Sequence, residues 1–209
     1  MKNLSLKDNT ANPAPLGLLG FGMTTILLNI HNAGFFALGT MILAMGIFYG
    51  GLAQIIAGIQ EWKKNNTFGA TAFTSYGLFW LTLVGLLVFP KLGWGTAPEA
   101  VAMGYYLLMW GIFTGLMFIA TLRLTAELRF VFASLTVLFL LLAIGDFTGS
   151  ALIKTIAGYE GIICGASAVY TAMKQIYGEV FAKGEEVPEE DLLKELEKEL
   201  PKKEMIFDN

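Results

Sequence analysis

The side chains of this chain that could contact a solute are uncharged. Inside its long apolar segments the polar groups are hydroxyls and amides, and the amides of Asn29 and Gln54 are the costliest to place in lipid. Ser and Thr hydroxyls often bond only to their own helix, so most of them need no function. Such neutral groups can replace part of the hydration shell of a small solute that is neutral or singly charged. The candidates are Thr24, Thr25, Asn29, Tyr49, Gln54, Ser75, Tyr76, Thr82, Thr114 and Thr136.

Ionisable side chains are predicted to avoid the centres of these segments. We expect Asp146 and Glu160 near the outer ends of the fifth and sixth segments and His31 near that of the first, in interfacial roles. Proton-coupled carriers commonly place acids or bases at mid-span, so this pattern leans toward a channel and leaves proton-linked passage open. No His/Asp/Glu constellation offers metal or acid–base chemistry, and a single cysteine, Cys164, excludes an internal disulfide. We therefore expect neither an enzyme nor a cofactor.

The elements that must position these groups are membrane helices, so the fold class is an all-α membrane protein. Hydrophobic residues make up 55% of the 209 residues and charged residues 15%, whereas a soluble domain usually carries about 25% charged residues. Six apolar runs are long enough to cross a hydrocarbon core of about 30 Å, and their continuity disfavours a β-barrel. They cover residues 13–34, 38–60, 68–89, 99–121, 127–145 and 153–174.

The basic residues predict the orientation of these six helices. If the helices alternate across the membrane, eight Lys and Arg residues fall on one side, and only Lys91 and Lys154 fall on the other. The excess of positive charge marks the cytoplasmic side, so both termini are expected in the cytoplasm. The eight residues are Lys2, Lys7, Lys63, Lys64, Arg123, Arg129, Lys174 and Lys183.

The distribution of charge also predicts the organisation of the chain. We expect a cytoplasmic arm over residues 1–12, a six-helix transmembrane domain over 13–175 and a cytoplasmic tail over 176–209. The tail is acidic, since eleven of the seventeen Asp and Glu residues lie from Glu179 onward. Pro188 can begin a short helix there, with acids in its first turn and a one-sided leucine stripe.

A glycine repeat predicts how the helices pack. The pattern G-I-x-x-G occurs at residues 46–50, 111–115 and 161–165, once in each even-numbered segment. Small residues at this spacing let helix backbones approach closely in lipid. Three copies at alternate helices suggest three helix pairs around a pseudo-threefold axis, which would enclose a central pore.

The first segment opens sharply at the sequence N-P-A-P-L-G-L of residues 12–18, followed by G-F-G-M-T-T at residues 20–25. Pro13 suits the first helical position, because its missing N–H would be unpaired there, and Asn12 can accept a bond from an orphan N–H group. A plain helix start explains these features, and so does a first contact for small anions at the positive end of the helix. We read this segment as an uncleaved membrane helix, since it is too long for a signal peptide.

These two runs match the signature of the acetate uptake transporter family, and the resemblance covers about residues 11–175. It implies six transmembrane helices, a homo-hexamer with a pore through each protomer, and transport of acetate and succinate. It also implies a hydrophobic constriction formed by Phe21, Tyr76 and Leu135, one from each odd-numbered helix. Ala168 falls where the family sets the width of the pore. The other expected pathway residues are Asn12, Thr24, Thr25, Asn29, Tyr49, Gln54 and Thr136.

Two other functions remain open at this stage. An uncharged lumen also suits a channel for small neutral solutes such as ammonia, water or glycerol, and a membrane scaffold without transport needs only the glycine faces. We expect the partners to be small carboxylates, the lipid bilayer and further copies of the chain, without nucleic acid. The expected location is the plasma membrane, either a bacterial inner membrane or an archaeal cell membrane.

Overall fold

The computed structural model describes residues 10–182, and within them six helices are long and apolar enough to cross a membrane. The predicted amphipathic helix at Pro188 lies outside the described residues. We number the six helices α1 to α6. The last is the longest, and at 1.5 Å per residue it extends about 48 Å. The bounds are Ala14–Asn32 (α1), Thr40–Lys63 (α2), Thr67–Leu92 (α3), Ala100–Thr121 (α4), Ala126–Thr148 (α5) and Ala151–Ala182 (α6).

The start of α1 lies one residue later than the sequence predicts. The helix begins at Ala14, so Pro13 is the residue before it rather than its first residue. Pro15 occupies the second helical position, where a missing N–H breaks no helical bond. The Asn12 side-chain oxygen accepts a bond of 3.0 Å from the Ala14 N–H, as expected of a capping residue. The sharp helix start is therefore real, shifted by one position.

A π-helical segment interrupts α2, which the sequence pattern does not predict. The chain is α-helical over Thr40–Met45, π-helical over Gly46–Ala53 and α-helical again over Gln54–Lys63. A π-turn closes its hydrogen bond over five residues and so adds one residue to the turn. The small residues Gly46, Gly50, Gly51 and Ala53 are buried along this segment. Because of the extra residue, the side chains that follow it on α2 face other directions than they would in a continuous α-helix.

Glycines bring α1 against α6 and α2 against α3 at backbone contact. A Cβ atom added at Gly22 of α1 would lie 2.6 Å from the carbonyl oxygen of Gly165 on α6. One added at Gly77 of α3 would lie 2.7 Å from the carbonyl oxygen of Gly51 on α2. Real Cβ atoms do not approach a backbone oxygen so closely, so only glycine fits at either position. The glycine repeat of α6 thus forms a close interface through Gly165, and on α2 the contact is made by Gly51, the residue after the repeat, as small residues in membrane helices do.

The contact between α4 and α5 is looser. A Cβ atom at Gly111 would lie 3.3 Å from the Cβ of Phe139, and one at Gly115 would lie 3.7 Å from a methyl group of Thr136. Side chains rather than backbone atoms fill the space between these two helices. The third glycine repeat therefore accommodates bulky residues of α5, and it does not bring two backbones together.

Ion pairs join α6 to both ends of α5. At one end the Lys154 ammonium lies 2.6 Å from the Asp146 carboxylate, and at the other Lys174 pairs with Glu127. Asp146 is thus near a helix end, as the sequence predicts. Large apolar side chains cover the outward faces of the helices, where lipid or a neighbouring protein is the expected environment. Examples are Phe48, Met109, Leu116 and Ile163.

Candidate functional site

The predicted constriction residues Phe21 and Tyr76 meet in the core of the bundle. Tyr76 on α3 is 4% exposed and Phe21 on α1 is 6% exposed. Their ring centroids are 6.0 Å apart, and the Tyr76 ring also lies 5.6 Å from the ring of Phe113 on α4. The Tyr76 hydroxyl donates a bond of 3.0 Å to the Thr114 hydroxyl, which itself donates to the Trp110 carbonyl at 2.7 Å. This chain of bonds holds the Tyr76 ring in one orientation.

Leu135, the third predicted constriction residue, belongs to the same buried cluster. It lies on α5 and is 3% exposed. Phe132, one turn earlier on α5, places its ring 6.0 Å from Tyr76, so α5 packs directly against the tyrosine. One bulky residue from each of α1, α3 and α5 therefore reaches this cluster, and its apolar rings leave little space between the helices.

Three of the predicted pathway residues carry buried polar atoms without a partner. Thr24 and Thr25 on α1 are 0% and 3% exposed, and Gln54 on α2 is 0% exposed. Neither threonine Oγ1 is hydrogen-bonded within the protein, and neither is Gln54 Oε1. The Gln54 Nε2 group donates to the Gly50 carbonyl at 2.6 Å, which fixes the amide and leaves its oxygen available. An unsatisfied buried polar group costs about 1–3 kcal/mol, so these atoms suit a path that holds water or a solute.

Asn29 is buried as well, but its amide is engaged by its own helix. Its Nδ2 donates to the Thr25 carbonyl at 2.9 Å, and its Oδ1 accepts from the Asn32 side chain at 3.0 Å. The amide lies on Gly161 of α6, where an added Cβ would fall 2.2 Å from the Asn29 Cγ. Asn29 therefore has a clear packing role between α1 and α6, and it needs no solute to satisfy its hydrogen bonds.

The remaining predicted pathway residues lie in varied places. Tyr49 is partly buried within the π-helical segment, and Ala168 on α6 is fully buried. The Thr136 hydroxyl donates to the Phe132 carbonyl of its own helix at 2.7 Å. Asn12 is exposed at the start of α1, away from the buried cluster.

Trp80 is a buried polar residue that the sequence reasoning did not single out. It is 2% exposed, and its indole Nε1 has no hydrogen-bond partner within the protein. It lies beside Gly50, because a Cβ added there would fall 2.8 Å from the Trp80 Cγ and 2.9 Å from a Thr24 methyl group. A buried tryptophan N–H usually finds an acceptor. The presence of Trp80 in the middle of an apolar segment could therefore have indicated a polar group on the pathway.

The prediction that Glu160 lies near the outer end of its helix in an interfacial role is wrong. Its Oε1 accepts a bond of 2.6 Å from the Ser134 hydroxyl of α5, next to Leu135 in sequence. Glu160 is about 14 Å along the axis from Ala151 at 1.5 Å per residue. Its Oε2 is buried and has no partner. No sequence signal placed it there, because its partner Ser134 lies on another helix, 26 residues earlier in the chain.

The comparisons with known proteins agree with this fold. The profile of the GPR1/FUN34/yaaH family matches residues 3–182. The chain belongs to this family. That result confirms the resemblance read from residues 12–18 and 20–25. As a GPR1/FUN34/yaaH protein with six apolar helices, the chain is a multi-pass membrane protein.

Two relatives within the GPR1/FUN34/yaaH family are especially similar. The succinate-acetate/proton symporter SatP of Escherichia coli is 64% identical over 173 residues, which cover 83% of this chain and 92% of SatP. A solved structure of the bacterial acetate channel SatP is 63% identical, with a TM-score of 0.82 over 83% of this chain and 96% of that one. A more distant relative is the ammonia transport outward protein 2 of Saccharomyces cerevisiae, 40% identical over 170 residues, or 78% of this chain and 60% of the yeast protein.

Proposed function

We propose that this protein carries acetate and succinate across the membrane through a pore in each protomer. The observation that carries the proposal is the 64% identity to the SatP symporter over most of both chains. The buried core agrees with it, since it combines an apolar narrowing with polar atoms that lack partners. A protein of this kind moves its solute without changing covalent bonds, so we propose that it is not an enzyme.

The proposed gate is the cluster of Phe21, Tyr76 and Leu135. An apolar constriction hinders ions because it offers no replacement for their hydration shell. The ring centroids of Phe21 and Tyr76 are 6.0 Å apart, so a carboxylate can pass between the rings only if they separate, and it must then shed part of its hydration shell. Size and charge are then both selected at one level of the pore.

The proposed pathway lies on either side of this gate. The hydroxyls of Thr24 and Thr25 can donate to a carboxylate oxygen, and the Gln54 oxygen can accept from a bound water molecule or a protonated acid. All three atoms lack partners within the protein. We place four further residues along the same pathway and keep Asn29 as a residue that shapes its wall. The four are Asn12, Tyr49, Thr136 and Ala168.

We further propose that the six helices form three pairs about a pseudo-threefold axis. The backbone contacts of α1 with α6 and of α2 with α3, together with the side-chain packing of α4 against α5, support this pairing. The excess of basic residues supports cytoplasmic termini in a plasma membrane. Exposed apolar side chains on the even-numbered helices offer contact surfaces for lipid and for the neighbouring protomers of a hexamer.

Uptake of radiolabelled succinate into proteoliposomes tests the function. Succinate is preferred to acetate as the tracer, because acetic acid crosses a bilayer unaided. We expect uptake that saturates with succinate concentration, falls when unlabelled acetate is added and is absent from protein-free vesicles. Uptake equal to that of protein-free vesicles would overturn the proposal.

A channel for ammonia is the second candidate function, since a yeast relative is named as an ammonia transport protein. The uncharged lining of Thr24, Thr25 and Gln54 would also accept a small neutral molecule. An inward ammonia gradient raises the pH inside vesicles as ammonia enters and binds protons. Faster alkalinisation in proteoliposomes than in protein-free vesicles, without succinate uptake, would favour this second function.

A further inference from the structure

We propose that Glu160 is the group that takes up and releases a proton as a carboxylate crosses the protomer. The inference rests on the proposed function and adds to it the residue that would link solute and proton. Glu160 is an acid within the membrane-spanning part of the chain whose carboxylate is joined to α5 rather than to the outer surface. Ionisable residues inside a membrane are expensive and commonly serve in proton relays.

The two oxygens of Glu160 have different surroundings. Oε1 accepts the Ser134 hydroxyl at 2.6 Å, whereas Oε2 is buried without a partner. When Glu160 is ionised, the lack of a donor to Oε2 is costly. Oε2 is therefore the atom to which a proton would bind. The Ser134 bond holds the side chain still while the proton comes and goes.

Among the described residues, no permanent positive charge is paired with Glu160. Within residues 10–182 no basic side chain forms an ion pair with it, and the nearest lysine along α6, Lys154, is paired with Asp146. The groups that face it are neutral: Ser134 on α5, and the Cys164 thiol one turn further along α6. On the α1 side, the Asn29 amide packs against the adjacent Gly161. A carboxyl without a counter-ion can change charge when a proton arrives, whereas one bound to Arg or Lys stays ionised.

The position of Glu160 couples it to the proposed gate. Its partner Ser134 precedes Leu135, which the structure buries with Phe21 and Tyr76. An O–H bond forms on Oε2 when a proton arrives from the more acidic side of the membrane. The same bond breaks when the proton leaves toward the other side, so a proton crosses together with the carboxylate. The carboxylate itself keeps all its covalent bonds. The negative charge of Glu160 is thereby removed while a second negative charge passes nearby.

Proton-driven uptake in proteoliposomes tests this inference with the full-length chain. The variants are Glu160→Gln, which keeps the size and an acceptor for Ser134, and Glu160→Asp, which keeps the titratable group. Glu99→Gln is the matched control, since Glu99 is exposed just before α4. Two rates are measured with the membrane potential clamped: succinate exchange at equal pH on both sides, and succinate uptake with and without an acidic exterior.

We expect an acidic exterior to raise uptake several-fold in the unmodified protein, in Glu160→Asp and in Glu99→Gln. Glu160→Gln should exchange succinate at the unmodified rate while its uptake no longer responds to the proton gradient. An unchanged response in Glu160→Gln, or loss of exchange together with uptake in that variant, would overturn the proposal. Saturable uptake without any response in the unmodified protein would overturn it too and leave the transport function intact, whereas absence of saturable uptake would refute the transport function itself.

Discussion

Replacing Tyr76 separates the role of its ring from that of its hydroxyl. In Tyr76→Phe the ring keeps its neighbours, and only the 3.0 Å bond to Thr114 is lost. Thr114 still donates to the Trp110 carbonyl, so no buried donor is left unpaired. Hydrogen bonds between membrane helices contribute about 0.6 kcal/mol on average and up to about 1.7 kcal/mol. We expect Tyr76→Phe to lower the free energy of unfolding by that amount and to keep the selectivity among carboxylates.

Tyr76→Ala should have a much larger effect. The ring lies within 6.2 Å of the ring centroids of Phe21, Trp110, Phe113 and Phe132. Truncating a buried aromatic side chain costs about 3–5 kcal/mol, and the space left behind widens the proposed gate. We therefore expect a lower melting temperature and entry of acids larger than succinate.

The assay combines thermal unfolding in detergent with uptake of a series of carboxylates of increasing size. Both variants are compared with the unmodified protein at equal amounts of reconstituted protein. We expect Tyr76→Phe to keep a selectivity close to that of the unmodified protein and Tyr76→Ala to lose it. Unchanged selectivity in Tyr76→Ala would refute the gate, and equal losses in both variants would show that the hydroxyl rather than the ring matters.

Two further predictions concern the packing of the helices. Gly77→Ala should lower the melting temperature in detergent, because its methyl group would meet the Gly51 carbonyl oxygen at 2.7 Å, and overpacking typically costs about 1–3 kcal/mol. Gly178→Ala is the control, since nothing lies within 4 Å of an added Cβ there, and an equal loss in both would contradict the contact. Lys154→Ala should cost only about 0.2–1 kcal/mol, because the side chain of Lys154 is 45% exposed beside Asp146 and solvent weakens such pairs. Its effect on melting should shrink as salt is added, and a large loss independent of salt would count against this reading.

The sequence predicted the helices well because membrane crossing imposes a minimum apolar length. Five of the six predicted segments end within three residues of the observed helices, and the sixth ends at 174 where the helix continues to Ala182. Gln175 and Glu179 interrupt the apolar pattern of that extension, although a helix can continue into water. The number of helices and their order along the chain could therefore be predicted from the apolar segments.

The register within α2 was not predictable from the glycine pattern. Residues 46–50 match the repeats at 111–115 and 161–165 in sequence, yet Gly51 rather than Gly50 makes the backbone contact with Gly77. The π-helical segment supplies the extra residue. The types of its residues do not predict a π-helix. Its glycines pack against residues of α3, a contact that the sequence pattern does not show.

The sequence predicted several of the buried polar residues, but it did not predict their hydrogen-bond partners. Asn29 and Gln54 were both expected at a cavity or a helix contact, and the structure separates them: the Asn29 amide is satisfied and Gln54 Oε1 is not. The prediction for Glu160 did not include its contact with α5. Its partner Ser134 is 26 residues away in sequence, a contact that spacing along one helix cannot reveal.

The most direct test of a carboxylate pathway past the buried cluster is chemical blockage of that pathway. In Leu135→Cys, a charged, water-soluble thiol reagent should stop succinate uptake, and excess succinate should slow the reaction. The unmodified protein should be unaffected, because its single cysteine, Cys164, is fully buried on α6 and is not among the residues placed along the pathway. Val137→Cys, on the same helix and 47% exposed, should react without loss of uptake. Uptake that persists after complete labelling of Leu135→Cys, or that is lost equally in Val137→Cys, would contradict the account.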